Sequence, residues 1–387
     1  MERIYLDNAA TAFPKPPAVA QAVYHYMTHS GANINRGCYG AAYEVEEQVL
    51  ETRELLCRLF HGPDCRNVIF TKNVTESLNV LLKGFLCPGD HVITSSMEHN
   101  AVMRPLVQLE RAGVSFTRVP CGSQGQLDTA ALEDCLRPET RLVVMTHASN
   151  VCGTVLPIAQ VGQFCRKHGL HFFVDSAQTA GVLDIDMEAM GIDALAFTGH
   201  KGLLGPQGIG GFVLSDGLAA ELEPLLSGGT GSASHTEEVP DFLPDRFEPG
   251  TLNLPGILGL RQGLLFLEQT GVERVRLHER GLAQQFREGL RPLERDGLVR
   301  VLAGGEGVDR VGVVSIQTLR TELSQAAFAL DDRFGIMTRV GLHCAPAAHK
   351  SLGSFPAGAI RFSFGWYNTA EQTDHALAAL AEVCHGA

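Results

Sequence analysis

An α/β fold on a mainly parallel, helix-covered sheet, followed by a smaller α+β part, is what this sequence predicts. Three observations carry that prediction. Between about residues 67 and 215, short β-rich runs alternate with helical patterns. Those runs are apolar almost throughout rather than at every second residue, as strands covered on both faces must be. And 387 residues, 45% of them apolar, exceed what one core usually holds, so a large unit with a companion is expected.

The elements follow in order. NVIFT (67–71), HVITSS (91–96), SFTRVP (115–120), RLVVMTHAS (141–149), HFFVDSAQ (171–178), ALAFTG (194–199) and IGGFVLS (209–215) are the strand candidates of a seven-stranded sheet. Between the first two, TESLNVLLKGFL sets Leu78, Leu81 and Leu82 at i, i+3 and i+4, the face of an amphipathic helix. Residues 227–256, rich in Gly, Ser, Pro and acids, break the rhythm and predict a long functional loop ahead of a connecting helix. Beyond about residue 270 come helical segments, strands VGVVSIQT (311–318) and AIRFSFG (359–365), and a last helix opening at Thr369, which has capping-box spacing to Gln372. The expected division is a large α/β unit over 14–260 and a small α+β unit made of 1–13 with 261–387.

Composition excludes several classes of partner. Charges sum to −12 with no basic cluster, so no nucleic acid is expected. The longest apolar runs are too short to span a bilayer and the first residues are charged, which predicts a soluble, cytoplasmic protein with no membrane partner. The ten cysteines lack CxxC pairs, and a chain this long folds without disulfides, so they read as reduced thiols. His343, Cys344 and His349 lie close in sequence, but their spacing fits no common zinc pattern, and no metal is expected.

The chemistry-bearing residues gather at strand ends. In FTGHKGLLGPQGIG (197–210), Thr198, His200 and Lys201 stand between a strand and a glycine-rich run. Desolvation there disfavours an ammonium ion, which suits Lys201 to a Schiff base with a carbonyl cofactor. Asp175 ends the apolar HFFVD and needs a cation beside it; a protonated pyridine nitrogen would serve, and capping the next helix is the plain alternative. Gln178 could bond another edge of the same ring. In TKNVTESLNVL (71–81) a helix opens with Val74 and Thr75, an anion site made of free N–H groups and a hydroxyl, while Asn73 and Glu76 also have ordinary capping spacing. His99 in SSMEHNAV offers an imidazole face or is a polar loop residue; Asn150 in THASNVCG offers an amide or makes a turn. His99, Asn150, Asp175 and Lys201 all follow the carboxyl ends of successive strand candidates, where open α/β sheets bind ligands, so they read as one site.

Two more residues come from the companion unit. Arg361 interrupts the apolar AIRFSFG and needs a carboxylate, from a ligand or from an acid of the chain. Cys344 lies upstream in RVGLHCAPAA (339–348), where Gly341 and Pro346 predict a loop; a thiol there can attack whatever Arg361 holds, given adjacent His343, a substrate acceptor or the site's positive field to activate it.

Taken in order, YLDNAAT, EHN, SNVCG, VDSAQ, TGHK, RVGLHCA and IRFSFGWYNT resemble the cysteine desulfurases, class-V aminotransferases of the fold-type I, pyridoxal-phosphate-dependent superfamily, over nearly the whole chain. The resemblance implies pyridoxal 5'-phosphate as cofactor and L-cysteine, or L-selenocysteine, as substrate. Lys201 would hold the cofactor, Asp175 its pyridine nitrogen and Gln178 its phenolic oxygen; His99 would stack on the ring as a catalytic residue. Thr75, Thr198 and His200 would hold the phosphate, with Val74 in place of a second Thr so that backbone N–H groups do more. Asn150 would sit by the cofactor oxygen and the substrate carboxylate, and Arg361 would clamp that carboxylate. Cys344 would take the sulfur as a persulfide. Thr251 in EPGTLN would reach the partner subunit's phosphate, implying a homodimer with shared active sites, and Arg36 in NINRG would guard the entrance. The short stretch from Cys344 to Arg361 is similar to the compact-loop branch, which hands sulfur to an acceptor protein. The AHKSLG tail after Cys344 and the 227–250 loop depart from the commoner pattern. A selenocysteine lyase, another class-V aminotransferase or lyase, or a non-catalytic scaffold would share the same frame.

Overall fold

The computed structural model describes residues 3–35 and 37–386, so Arg36 lies outside the described residues. The chain opens with β1 (Ile4–Tyr5), α1 (Pro17–His25) and α2 (Gly40–Phe60). Then come β2 (Val68–Thr71), α3 (Val74–Phe85), β3 (His91–Ser95), α4 (Asn100–Glu110), β4 (Ser115–Val119), β5 (Thr140–Thr146), α5 (Ile158–His168) and β6 (His171–Asp175). A short α6 (Met187–Met190) leads to β7 (Ala194–Thr198), β8 (Gly210–Leu214) and α7 (Asp216–Glu221). After a long irregular stretch, α8 (Leu254–Thr270) and α9 (Val272–Arg295) run into β9 (Val299–Val301), β10 (Val313–Thr318), α10 (Leu323–Phe334), β11 (Ile336–Met337), β12 (Arg339–Gly341), α11 (Pro346–Ser351), β13 (Ala359–Ser363) and α12 (Ala370–His385).

The seven strand candidates form one seven-stranded sheet in the order β2-β8-β7-β6-β5-β3-β4. Only β8 runs against the others, because the connection from β7 is too short for the helix that a parallel return needs. The fold class is therefore α/β, as the sequence predicts. Alternation along each strand sends side chains into two separate cores. Phe70, Ile93, Val143, Phe172, Val174 and Phe197 face one, under α2, α5 and α8. Ile69, Val92, Val144, Phe173, Ala196 and Phe212 face the other, under α3 and α4. That double cover is why the strands carry apolar residues at every position.

A second sheet, β12-β13-β10-β9, is antiparallel and packs on α9, α10 and α12 through Phe286, Val314, Ile316, Phe362 and Leu380. The first residues belong here too: β1 pairs with β11, and Asp7 bridges to Ser363. Thr369 caps α12 by accepting from the Gln372 N–H (3.2 Å), but Gln372 turns its side-chain oxygen to Asn368 Nδ2 (3.1 Å) instead of completing the box. All ten cysteines are free. Cys38 and Cys87 are exposed like Cys344, so they pack no core.

Candidate active site

In the sheet order the chain leaves β3 toward β4 on one side and returns to β5 on the other, so β3 and β5 flank the switch point where open sheets hold ligands. The loops after β3, β5, β6 and β7 all open at this edge. Asp175 is the last residue of β6 and is 2% exposed; its Oδ1 accepts from the Ala177 N–H at 2.9 Å, the local cap that the sequence allows. Burial pushes this carboxyl up, against the pull of the Ala177 N–H and of Lys201.

Lys201 lies in the turn after β7, closed by the Leu204 N–H on the Lys201 carbonyl at 2.8 Å. Burial brings its ammonium down to about 8; Asp175 opposes this, while Arg361 and Arg339 add to it. His99 is the N-cap of α4, where Nδ1 accepts from the Ala101 N–H at 3.0 Å, so the remaining hydrogen sits on Nε2. Burial and the charges of Lys201, Arg361 and Arg104 bring its pKa down to about 4, and the ring is neutral at physiological pH.

The end of the site at the start of α3 is built by close packing. Gly210 lies between Thr71 and Thr198 in the sheet. A Cβ on Gly210 would meet the Asn73 Cα at 2.7 Å, so only glycine lets the start of α3 settle against Thr198's strand. Asn73 caps α3 by accepting from the Glu76 N–H at 3.0 Å. The amides of Val74 and Thr75 have no acceptor within the helix. Val74 is 9% exposed and Thr75 is exposed. Nearby, Thr198 Oγ1 and His200 Nδ1 are buried without a hydrogen-bond partner among the described residues. Buried polar atoms are rarely left so, and these match what an anionic oxygen would satisfy.

Arg361, on β13, is 2% exposed. Its Nη2 donates to Asp7 Oδ1 (2.8 Å) and its Nη1 to the Asn150 carbonyl (3.1 Å), while Nε is buried with no partner among the described residues. The acid of the chain is therefore present, and a donor is still left over. Asn150 Nδ2 in turn donates to the His343 carbonyl at 2.7 Å, and the Asn100 N–H, beside His99, donates to the Cys344 carbonyl at 2.7 Å. Cys344 is thus an exposed thiol on a loop tied to two of the strand-end segments. His343 and Cys344 both have left-handed backbones, at φ 50° and 56°. The ring of His343 points away from any role as base: its Nδ1 meets His349 Nε2 and its Nε2 meets the Arg339 carbonyl, both at 3.3 Å.

Gln178 Nε2 donates to the Ala9 carbonyl at 3.2 Å, which places its side chain between β6 and the N-terminal segment. Thr251 stands apart from this group; it is exposed and lines a surface pocket with Asn33, Ile34 and Asn35. Three residues escape the sequence reading. Asp7 lies in the quoted YLDNAAT, but nothing local says that it meets an arginine of β13. Glu98, just before His99, is fully buried; it accepts from Ser95 Oγ (2.5 Å) and from the Thr146 N–H (2.9 Å to Oε2), joining the ends of β3 and β5. Burial raises it to about 8. Lys15 donates to the His200 carbonyl at 3.1 Å, and burial lowers it to about 8.

The model of the aminotransferase class-V family matches residues 4–375. The chain belongs to the class-V aminotransferase family. Within it, the chain is 32% identical to a probable cysteine desulfurase of Methanothermobacter thermautotrophicus, covering 96% of this chain and 92% of the relative. It is 34% identical to a probable cysteine desulfurase of Aeropyrum pernix, over 98% and 94%. Among solved structures, the apo cysteine desulfurase of Thermococcus onnurineus superposes with a TM-score of 0.92 at 30% identity, over 100% of this chain and 95% of that one. The fold-type I architecture of this class-V chain is thereby shared along its whole length.

Proposed function

We propose that the chain is a pyridoxal-phosphate-dependent cysteine desulfurase that converts L-cysteine to L-alanine and keeps the sulfur on Cys344 for an acceptor. The observation that carries this reading is the shared tie at Asn150: its carbonyl takes the Arg361 guanidinium and its amide takes the loop of Cys344. Asn150 thus links the residue that would hold the carboxylate to the loop that carries the thiol. Relatives named for this activity cover nearly all of the chain.

The residues fit the cofactor. The unpartnered Thr198 and His200 atoms, the Val74 and Thr75 amides and the Thr75 hydroxyl would hold its phosphate, and Asp175 its ring nitrogen. Lys201 would hold its aldehyde, with His99 against the ring and Gln178 and Asn150 at its phenolic oxygen. When bound, the group supplies an electron sink beside the substrate's Cα. Arg361 Nε takes the substrate carboxylate. Lys201, neutral for much of the time near pH 8, removes the Cα proton. The Cys344 thiolate then attacks the substrate sulfur: an S–S bond forms, the Cβ–S bond breaks, and the electron pair stays on carbon, which takes up protons to become alanine. L-Cysteine and one enzyme thiol thus give L-alanine and one enzyme persulfide.

The reading includes a homodimer in which Thr251 completes the phosphate site of the partner subunit, and an acceptor protein that meets the exposed Cys344. Thr251 and Asn33–Asn35, next to Arg36 in sequence, share a surface pocket, which suits a shared entrance. Among the described residues no helix is long and apolar enough to cross a membrane. Peptide mass spectrometry after L-cysteine is added tests the proposal. One extra sulfur on the Cys344 peptide, with stoichiometric alanine, is expected; Cys344→Ala should take up none, and sulfide release surviving that change sinks the persulfide route.

A further inference from the structure

The AHKSLG tail, where the sequence departs from its resemblance, supplies one ring, His349, of a buried hydrogen-bond chain behind Cys344. His343 Nε2 lies 3.3 Å from the Arg339 carbonyl, His343 Nδ1 lies 3.3 Å from His349 Nε2, and His349 Nδ1 lies 2.7 Å from Ser354 Oγ. The two rings stack at 5.5 Å with 20° between their planes, and His349 is 0% exposed. One placement of hydrogens satisfies every atom. A carbonyl only accepts, so His343 Nε2 must carry a hydrogen. Nδ1 of the neutral ring then accepts, so His349 Nε2 carries the next one, and Ser354 donates to His349 Nδ1. This polarity leaves His343 no free nitrogen for the Cys344 proton, so its work is positional.

We propose that His349, backed by Ser354, is a positioning residue for Cys344. The chain fixes the His343 ring from behind, while Asn150 Nδ2 and the Asn100 N–H fix the His343 and Cys344 carbonyls from in front. Between these two clamps, two successive non-glycine residues stay in the left-handed region, a conformation that persists only where the surroundings over-determine it. The backbone that carries the thiol is held in one place as a result. α11 is also moored at its far end, where Ser351 Oγ meets Ser96 Oγ at 2.8 Å, so the tail cannot drift as a whole. This inference rests on the reading of Cys344 as the attacking thiol.

His349→Ala and His349→Gln in the cofactor-loaded enzyme test it. Glutamine keeps an N–H near the place of Nε2. In His349→Ala, kcat for alanine formation should fall roughly a hundredfold, the scale of a misplaced reacting group. KM for L-cysteine should hold within about twofold, because Arg361 is untouched. Amide exchange over residues 342–349 should quicken in the alanine variant, and glutamine should restore both the rate and the protection. Three outcomes overturn the proposal: wild-type kcat in His349→Ala, glutamine as impaired as alanine, or a KM that rises as kcat falls. Failure of the desulfurase reading is seen separately and earlier, as wild-type enzyme that takes up no sulfur on Cys344.

Discussion

Lys201 and Arg361 show how burial turns ordinary side chains into reagents. An amine at about 8 rather than its usual 10.5 is half deprotonated at about pH 8, where an exposed lysine is almost wholly charged. The neutral amine is the form that takes a carbonyl, so uptake of pyridoxal phosphate by the apo-protein, followed by absorbance, should rise with pH through about 8 and then level. A rate still climbing toward pH 10.5 would mean that Lys201 is not desolvated. Arg361 divides three donors among Asp7, the Asn150 carbonyl and an unfilled Nε. Lysine cannot divide its hydrogens in that plane. Arg361→Lys should therefore lose a charge-assisted bond of about 1.5–3 kcal/mol, raising KM for L-cysteine between about tenfold and a hundredfold in steady-state assays.

Among the elements, α3 and the 227–250 loop each depend on one residue, Gly210 and Glu248. Gly210→Ala should push the start of α3 away from β7, because the new Cβ meets backbone at Asn73 and at the Phe197 carbonyl, 2.8 Å away. Weaker pyridoxal phosphate binding, measured by titration, is the expected outcome, with a smaller effect on global stability. Near its end the loop carries Glu248, which takes the Arg53 guanidinium through two bonds, 2.9 and 2.6 Å, and the Phe70 N–H at 2.6 Å. All of this is buried, so the loop is anchored to α2 and β2 at once. Glu248→Ala leaves an uncompensated arginine and should cost about 3–5 kcal/mol, read as a lower denaturation midpoint. The sequence marks this loop by composition alone, and its anchor lies 195 residues from Arg53, beyond any local signal.

The whole molecule keeps many histidines neutral. His91, His99, His147, His200 and His349 are brought down to about 4, and His343 to about 3, chiefly by burial. Each binds a proton more readily once unfolded, so its stabilisation is present above the unfolded value of 6.5 and is lost as pH falls toward 4. Glu98 and Glu279, raised to about 8, work in the opposite sense between 4.5 and 8, but the histidines outnumber them. Tm of the apo-protein should therefore fall as pH drops from 6.5 to 5, checked by calorimetry; a flat or rising Tm over that range would show these rings to be solvated. Both sheets meet the N-terminal segment, through Asp7 on Arg361 and the Ala12 N–H on the His200 carbonyl at 2.9 Å. Residues 3–12 are thus a strap across the site.

The sequence alone determined the seven strands of the main sheet and the residues that follow their carboxyl ends. Each strand is a local apolar run, and a parallel sheet turns strand ends into one edge wherever the strands sit. His99, Asn150, Asp175 and Lys201 were legible for that reason. Tertiary structure decided the rest. Asp7 meets Arg361 across 354 residues, Asn150 spends its amide on the Cys344 loop, and His343 turns its ring to His349 rather than to the thiol. Such pairings depend on which surfaces pack together, and a hydrogen bond between distant segments leaves no period or propensity in either of them.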